Sequence, residues 1–351
     1  MRVKKINIAI VGATGYVGLD LINILSRHPK VNIKYLCAQK NLGKKIQYFD
    51  KRIKKNLPSL SNLKKANLID VDLLFLSLPN GEAQKLVKNL YKHKHLKFID
   101  LSADFRIESS TNYKKWYKIN HKAKLLIKKS IYSISEFASK EIKKFRIISN
   151  PGCYPTSIQL ALNPLIKKNL LNFQNIVIDS KSGYSGAGKN YLKKFKDNKN
   201  LYKSVYAYSP FNHRHMAELN QEFKKITNKK ISYNFNPHLL PAFRGILSSI
   251  YVKLNSNVGA NKIVRELKNY YKNKKFVKVL DLNMNIGTGN VINTNMCHIS
   301  ICKSSDKNKI IIFSAIDNLI KGASGQAVQN MNLLYGFNES IGLQWSIFYF
   351  F

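Results

Sequence analysis

The sequence predicts an α/β protein of two domains, in which a doubly wound parallel domain precedes an α+β domain with a mixed sheet. Three observations predict this fold class. The chain has 351 residues, the length of about two domains. Strand-like and helical segments alternate through the first 150 residues, as in a parallel sheet with crossover helices. Beyond that point strand-like segments outnumber helical ones, which favours a larger and partly antiparallel sheet.

The first domain is predicted over residues 1–150. The helical pattern that follows Gly12 runs through Leu25 with apolar residues on one face, and a second helix is predicted at Glu82–Tyr91. The apolar runs alternate with these helices and are bounded by glycine, proline or asparagine. The predicted strands are Ile6–Val11, Val31–Leu36, Asp72–Leu78, Phe98–Leu101 and Ile147–Ser149.

The second domain is predicted over residues 151–319. A helix is predicted at Lys262–Tyr271. From Ile316 onward the sequence resembles a long helix interrupted by glycines, and we expect residues 320–351 to return to the first domain. The predicted strands are Asn175–Ser180, Ile246–Leu254, Phe276–Leu280 and Met296–Cys302.

The chain is strongly basic, with a net charge of +40 from 59 Lys+Arg and 19 Asp+Glu. The lysines are spread along the whole chain among Asn and Ile, which is the composition that an AT-rich gene encodes. No recognised nucleic-acid module accompanies them. Mutational bias is therefore favoured over a nucleic-acid function, although a basic surface still attracts phosphorylated anions over long range.

No apolar run reaches the ~20 residues that span a membrane. The apolar run near the N-terminus is too short for a signal peptide and leads directly into a glycine loop. We therefore expect a cytoplasmic protein without membrane partners. The apolar tail at residues 345–351 either packs on the body or a partner, or frays.

The four cysteines show no spacing typical of a disulfide scaffold. Cys297, His298 and Cys302 suggest a metal site, but MCHISIC alternates like a buried strand and lacks a second ligand pair. We expect no metal.

A glycine motif with the form G-x-x-G-x-x-G follows the first strand and opens the first helix. In that context glycines allow close approach of a pyrophosphate to the helix N-terminus, although glycine turns also serve packing alone. The segment after the second predicted strand holds Lys40 and Lys44 and no acid, which favours NADP over NAD. The expected cofactor contacts are Gly12, Thr14, Gly15, Tyr16, Val17, Gly18 and Lys40.

Cys153 follows Pro151-Gly152 and precedes an apolar helical run. A helix N-terminus favours the thiolate over the thiol, and its N–H groups stabilise a developing oxyanion. This setting indicates a covalent nucleophile; the alternative is a buried structural cysteine.

The motif His213-Arg214-His215 supplies candidates for a proton-transfer partner. We favour His213 as the acid/base, with His215 as the alternative. The planar guanidinium groups of Arg214 and Arg244 suit carboxylate or phosphate.

The sequence resembles the N-acetyl-gamma-glutamyl-phosphate reductase family. The resemblance runs from about Ile6 to Leu343. It rests on motifs in the order GATGYVG, IDLSADFRI, NPGCYPT, SGYSGAGK, HRHMAEL, HLLPAFRGIL and DNLIKGASGQAVQNMN.

The resemblance implies a Rossmann-like NAD(P)-binding domain and an α+β catalytic and dimerisation domain, in a homodimer or homotetramer. The implied reaction reduces N-acetylglutamyl 5-phosphate to the semialdehyde with NADPH, through a thioester on Cys153. Aspartate-semialdehyde dehydrogenase or aminoadipyl-phosphate reductase is the alternative, and a basic nucleic-acid-binding protein is the remote one. Further implied cofactor contacts are Ser182, Gly183, Gly186 and Asn318; implied substrate contacts are Arg106, Asn150, Arg214, Glu218 and Arg244.

Overall fold

The computed structural model describes residues 5–189, 203–210 and 212–344. These residues form two compact units, one within Met1–Pro151 and Ala323–Phe351 and the other within Gly152–Gly322. The apolar tail singled out in the sequence lies outside the described residues. No helix in the described ranges is long and apolar enough to cross a bilayer.

The first unit contains a parallel sheet of seven strands in the order β3-β2-β1-β4-β5-β7-β6. Its central strands are buried along nearly their whole length, as in parallel sheets covered on both faces. The strands are β1 (Ile6–Val11), β2 (Val31–Cys37), β3 (Leu60–Ser61), β4 (Leu73–Leu76), β5 (Lys97–Asp100), β6 (Ser130–Tyr132) and β7 (Ile147–Ser149).

The first α-helix of this unit begins directly after the glycine loop that follows β1, and the second begins after the loop that follows β4. The first of them is buried from Gly18 to Leu25. In chain order the helices are α1 (Tyr16–Leu25), α2 (Glu82–Leu90), α3 (Ser110–Tyr117), α4 (Lys124–Ile127) and α5 (Ser135–Ala138).

The second unit begins with the 15-residue helix α6 (Cys153–Lys167) and contains a mixed sheet in the order β12-β13-β14-β11-β8-β10-β9. Strand pairs β8/β10 and β12/β13 are parallel and the others antiparallel. Its other helices are α7 (His215–Ile226) and α8 (Ala260–Tyr271). The strands are β8 (Ile176–Gly183), β9 (Tyr206–Ala207), β10 (Tyr233–Leu240), β11 (Ile246–Lys253), β12 (Val277–Val279), β13 (Cys297–Lys303) and β14 (Lys309–Ile316).

The two faces of the mixed sheet differ. Helix α6 packs on β11 and β14, and α8 packs on β12 and β13. On β8 and β11, exposed side chains alternate with buried ones. Val177 is 37% exposed and Tyr251 is 43% exposed, whereas their neighbours along each strand are buried. One face of the sheet is therefore covered by helices, and the other carries exposed apolar side chains.

The segment after β14 differs from the long helix predicted from Ile316. Ile316 is the last residue of β14, a π-helical turn spans Ile320–Ser324, and α9 (Gly325–Leu334) follows. Helix α9 packs against α1 and α5 in the first unit. It ends because Gly336 takes φ +72°, and the N–H groups of Gly336 and Phe337 bond back to the last turn.

The predicted fold class is confirmed, with its parallel sheet and its mixed sheet. Three strands of the mixed sheet were missed in the sequence, one of them the two-residue β9. β10 contains Pro237 and alternating asparagines, which hide its apolar pattern. β14 is a central strand between β13 and β11, and its apolar run KIIIFSAI was not recognised.

Candidate active site

Cys153 is the first residue of α6, and its side chain is partly exposed. Gly152 caps the helix in extended conformation, with φ −68° and ψ 156°. Its carbonyl accepts hydrogen bonds from the backbone N–H and the Oγ of Thr156, at 2.9 and 3.0 Å. The rest of α6 is buried through Ile166, so the helix holds the cysteine rigidly at its positive end, where the thiolate is favoured.

Gly152 is glycine because of space and not because of backbone strain. A Cβ at this position would lie 2.4 Å from His215 Nε2 and 2.9 Å from Glu218 Oε1. Its absence lets the imidazole and the carboxylate, both from the first turn of α7, reach the backbone beside Cys153. The glycine of the Pro-Gly-Cys sequence therefore provides the space that the His215 ring occupies.

Glu218 joins the two elements. Its Oε2 accepts a hydrogen bond from Gly152 N at 2.8 Å, and its Oε1 lies 3.9 Å from His215 Nε2. Glu218 is fully buried. Glu218 therefore links the backbone beside Cys153 to the imidazole of His215.

His213 packs against His215, with ring centroids 4.7 Å apart, and both of its ring nitrogens have hydrogen-bond partners. Its Nδ1 accepts from His215 N at 3.2 Å, and its Nε2 lies 3.2 Å from Tyr208 Oη. Burial, with Arg214 nearby, lowers the pKa of His213 to about 4. The side chain is therefore neutral at physiological pH, with both ring nitrogens engaged, and it supports the position of His215.

Tyr154 forms an aromatic contact with both histidines. Its ring meets those of His213 and His215 edge-on, with centroids 5.5 and 5.9 Å apart, and its hydroxyl donates to His238 O at 3.0 Å. Burial raises the pKa of Tyr154 well above its usual value, so it stays a neutral phenol. Sequence reasoning missed Tyr154 and Tyr208, and only the position of Tyr154 next to Cys153 could have indicated a role.

The turn that follows β14 approaches Cys153 from another side. A Cβ on Gly322 would lie 2.6 Å from Cys153 Cβ and 3.1 Å from its Cα. The turn therefore packs directly on Cys153, while His215 packs on the preceding residue, Gly152.

Asn318 joins two loops. Its Oδ1 accepts from Gly245 N at 2.7 Å, and its Nδ2 donates to Ser185 Oγ at 2.9 Å. Ser182 is buried, whereas Gly186 is exposed, and a Cβ on Gly186 would lie 3.0 Å from Ser182 Oγ. These residues come together in the second unit, with the Asn318 amide engaged by the protein itself.

The two predicted arginines in this unit differ. Arg244 has a side chain only 10% exposed, and its Nη1 donates to Asp317 Oδ2 at 3.1 Å. Gly183 packs closely on Arg244, since a Cβ at 183 would lie 2.6 Å from the arginine's backbone N. Arg214 is exposed at the N-cap of α7.

The glycine loop of the first unit has the geometry expected of a dinucleotide site. Gly12 has φ +88°, and a Cβ there would lie 2.0 Å from Ser77 O. A Cβ on Gly18 would lie 2.4 Å from Gly12 O, so α1 packs tightly on the loop. Gly15, at the N-cap of α1, meets nothing closer than 3.5 Å. The N-terminus of α1 beside Gly15 is the position at which loops of this type bind a pyrophosphate.

The other predicted cofactor contacts surround this loop. Thr14, Tyr16 and Val17 are half-buried, and Lys40 is exposed just beyond the end of β2. The described residues 38–44 contain no acid that could hold ribose hydroxyls.

Arg106 and Asn150 also lie in the first unit. Arg106 donates to Asn150 O at 2.9 Å and to Leu101 O at 3.2 Å. The Asn150 side chain donates to Ala323 O and accepts from Asn330 Nδ2, both at 3.2 Å. These contacts join the ends of β5 and β7 to the segment before α9, and a substrate role for either residue stays a prediction.

The comparisons with known proteins identify both units. The family model for the semialdehyde dehydrogenase NAD binding domain matches residues 7–145, and that for the semialdehyde dehydrogenase dimerisation domain matches residues 153–318. A relative from Ruthia magnifica subsp. Calyptogena magnifica, named N-acetyl-gamma-glutamyl-phosphate reductase, is 42% identical over 97% of this chain and 98% of its own length. The chain belongs to the N-acetyl-gamma-glutamyl-phosphate reductase family. The resemblance seen in the sequence is thereby confirmed.

The chain is also similar to a plant relative and to solved structures of aspartate semialdehyde dehydrogenases. A probable chloroplastic N-acetyl-gamma-glutamyl-phosphate reductase from Arabidopsis thaliana is 39% identical, over 97% of this chain and 84% of its own length. Among solved structures, aspartate semialdehyde dehydrogenase II from Vibrio cholerae matches with a TM-score of 0.71 at 18% identity, covering 95% of this chain and 99% of that one. An NADP-bound aspartate semialdehyde dehydrogenase from Candida albicans matches with a TM-score of 0.64 at 15% identity, covering 96% and 100%. At these identities the structures show the fold that the N-acetyl-gamma-glutamyl-phosphate reductase family shares with them.

Proposed function

We propose that the protein catalyses the NADPH-dependent reduction of N-acetyl-L-glutamyl 5-phosphate to N-acetyl-L-glutamate 5-semialdehyde, with release of phosphate. This is the reaction after which its relatives are named. The observation that carries the proposal is the placement of Cys153 at the start of α6, between Gly322 and the His215–Glu218 pair. That arrangement provides a nucleophile, a proton carrier and a carboxylate that orients the carrier.

The thiolate of Cys153 attacks the acyl carbon, and the bond from that carbon to the phosphate oxygen breaks. Inorganic phosphate leaves with the electron pair, and a thioester remains on Cys153. NADPH supplies the hydride that reduces this thioester. His215 gives a proton to the resulting oxyanion to form a thiohemiacetal, and removes it again when the carbon–sulfur bond breaks and the aldehyde leaves.

The geometry supports His215, and not His213, as the acid/base, which reverses the order favoured from the sequence. His215 packs against Gly152 and lies near a buried carboxylate. Both nitrogens of His213 are engaged, and its pKa of about 4 keeps it neutral. A general acid/base works best with a pKa near the operating pH.

The residues of the glycine loop fit a dinucleotide. Gly12 allows the loop to approach Ser77 closely, Gly18 allows α1 to pack on the loop, and the N-terminus of α1 attracts the pyrophosphate. Lys40, at the exposed end of β2, supports NADP over NAD because a cation there binds the 2′-phosphate. In the second unit, Arg214 and Arg244 are the guanidinium groups proposed to bind the substrate's anionic ends.

We also infer that the protein forms a homodimer through the uncovered face of the mixed sheet. The matching family model is described as a dimerisation domain, and Tyr251 and Val177 are exposed apolar side chains on that face.

The deciding experiment measures NADP reduction with N-acetylglutamate semialdehyde as the substrate, in the presence and absence of inorganic phosphate. We expect turnover that requires phosphate, because phosphate must displace Cys153 from the thioester in the oxidative direction. Aspartate semialdehyde and aminoadipate semialdehyde are the matched comparison substrates. A higher kcat/KM for either of them would reject the proposed substrate and keep the reaction type.

A further inference from the structure

Asp317, at the end of β14, is a fully buried carboxylate that receives four N–H groups. None of the sequence motifs that suggested catalysis assigned it a role. Its hydrogen-bond donors lie in three segments, which are the loop before β11, the loop before β13 and the turn beside Cys153. They are Arg244 Nη1 (3.1 Å), Asn293 N (2.7 Å), Leu319 N (2.8 Å) and Ile320 N (3.1 Å).

The two carboxylate oxygens have separate tasks. Oδ1 accepts from Leu319 and Ile320, the N–H groups that open the π-helical turn. The backbone carbonyl of Asp317 accepts from Gly322 N at 2.9 Å. Through these bonds Asp317 fixes the turn whose Gly322 lies against Cys153. This oxygen therefore acts on the position of the nucleophile.

Oδ2 faces the other way. It accepts from Arg244 and from Asn293 N. The contact holds one edge of the Arg244 guanidinium, whose planar fork then has a fixed orientation. This oxygen therefore acts on a proposed substrate anchor.

We propose that Asp317 is a positioning residue that orients the Arg244 guanidinium for the anionic substrate and, through Gly322, holds the turn that packs on Cys153. The inference rests on the proposed function for its substrate part, whereas the part that concerns Cys153 does not need turnover to be tested.

Two substitutions separate the tasks. In Asp317→Asn the amide oxygen still accepts the hydrogen bonds from Leu319 N and Ile320 N, so the turn is retained. The NH₂ group then faces Arg244 Nη1, and because both groups are donors this hydrogen bond is lost. We expect KM for N-acetylglutamate semialdehyde to rise about tenfold, because a charged hydrogen bond is lost, with kcat and the rate of Cys153 alkylation nearly unchanged. In Asp317→Ala both tasks are lost. We expect iodoacetamide to alkylate Cys153 at least about threefold faster as well, because the covering turn loosens.

Asp72→Asn is the matched control, since Asp72 Oδ2 accepts one backbone N–H, from Asn7 at 2.7 Å, in the other unit. It should change neither KM nor the alkylation rate. An unchanged KM in Asp317→Asn would overturn the proposal. A rise in KM accompanied by an equal fall in kcat and in NADP affinity would also overturn it, because that result indicates a general structural role. If the wild type turns over none of the semialdehydes, the proposed function fails while the alkylation of Asp317→Ala still decides the role of the turn. If Asp317→Ala does not fold, KM of Asp317→Asn decides.

Discussion

The surroundings of Cys153 are shaped by two side chains from α7 and by the absence of a side chain at Gly152. His215 and Glu218 approach from α7, and Gly152 leaves the space that they occupy. The sequence alone made the cysteine and both histidines candidates, because a thiol after Pro-Gly and a cationic HRH motif are visible in the chain. It favoured the first histidine of that motif as the acid/base, whereas the geometry supports the second. Their order depends on burial and on Tyr208, a partner that no local pattern reveals.

The first prediction concerns the nucleophile. Cys153→Ser should abolish turnover and leave the Kd for NADP unchanged, because serine is not ionised at the helix N-terminus at neutral pH. Iodoacetamide should label Cys153 before the other cysteines. Cys37 and Cys297 are buried, and burial raises the pKa of Cys37 to about 11. Peptide mass spectrometry gives the order of labelling, and near-normal turnover of the serine variant would rule out covalent catalysis here.

The second prediction separates the histidines. His215→Asn should lower kcat by ~10²–10⁴ with little change in KM, as expected for loss of a general acid/base. His213→Asn should lower kcat less, because it removes only the support beneath His215. Steady-state kinetics of the two variants side by side provide the measurement. A larger kcat loss in His213→Asn would restore the order favoured from the sequence.

The third prediction follows from the low pKa of His213. The unfolded chain binds a proton at this residue below pH 6.5, whereas the folded chain does so only below about 4. Folding stability from this group is therefore complete above pH 6.5 and declines as the pH falls toward 4. The urea midpoint of the wild type should fall across that window, and His213→Asn should show a shallower fall. Parallel pH curves for the two proteins would contradict the assignment.

At the scale of secondary-structure elements, most predicted strands and helices lie where the apolar patterns placed them, with ends shifted by a few residues. The glycine loop between β1 and α1 was predictable because its residues are adjacent in the chain. The π-helical turn was not, because its conformation depends on the side chain of Asp317 and on packing against Cys153. The apolar pattern of the sequence therefore predicted the strands and helices, whereas long-range contacts determine the conformation of the turn between β14 and α9.

The fourth prediction concerns the end of β2. Lys40→Ala should lower kcat/KM for NADP and leave that for NAD unchanged, because only NADP carries the 2′-phosphate. A single lost phosphate contact corresponds to about a tenfold change. Lys30→Ala is the matched control, since Lys30 precedes the opposite end of the same strand. Equal kcat/KM values for the two cofactors in the wild type would remove the basis for this preference.

At the scale of the whole molecule, the sequence predicted two domains and their order. It could not show which face of the second sheet carries exposed apolar side chains in the part of the chain that the structure describes. That depends on where α6 and α8 pack. The charge of +40 opposes self-association by repulsion between like charges, whereas apolar burial at the centre of a homodimer interface favours it.

The fifth prediction tests that face. Tyr251→Asp places a charge among exposed apolar side chains and should convert the dimer into monomers, as measured by sedimentation velocity. Tyr48→Asp is the matched control, because Tyr48 is 74% exposed in the other unit. An unchanged sedimentation coefficient in Tyr251→Asp, or a monomeric wild type, would exclude this face as the interface.

Gly152 and Gly322 set a limit on how far the composition of this chain can drift. A gene under pressure toward A and T replaces residues with lysine, asparagine and isoleucine wherever the fold allows it. Glycine codons begin with two guanines, and replacing either of them with A or T encodes a residue with a Cβ or a stop. At position 152 such an atom would overlap the His215 ring, and at position 322 it would overlap Cys153. Base-composition pressure is therefore expected to spare these two codons, because one added carbon atom at either position would displace His215 or Cys153.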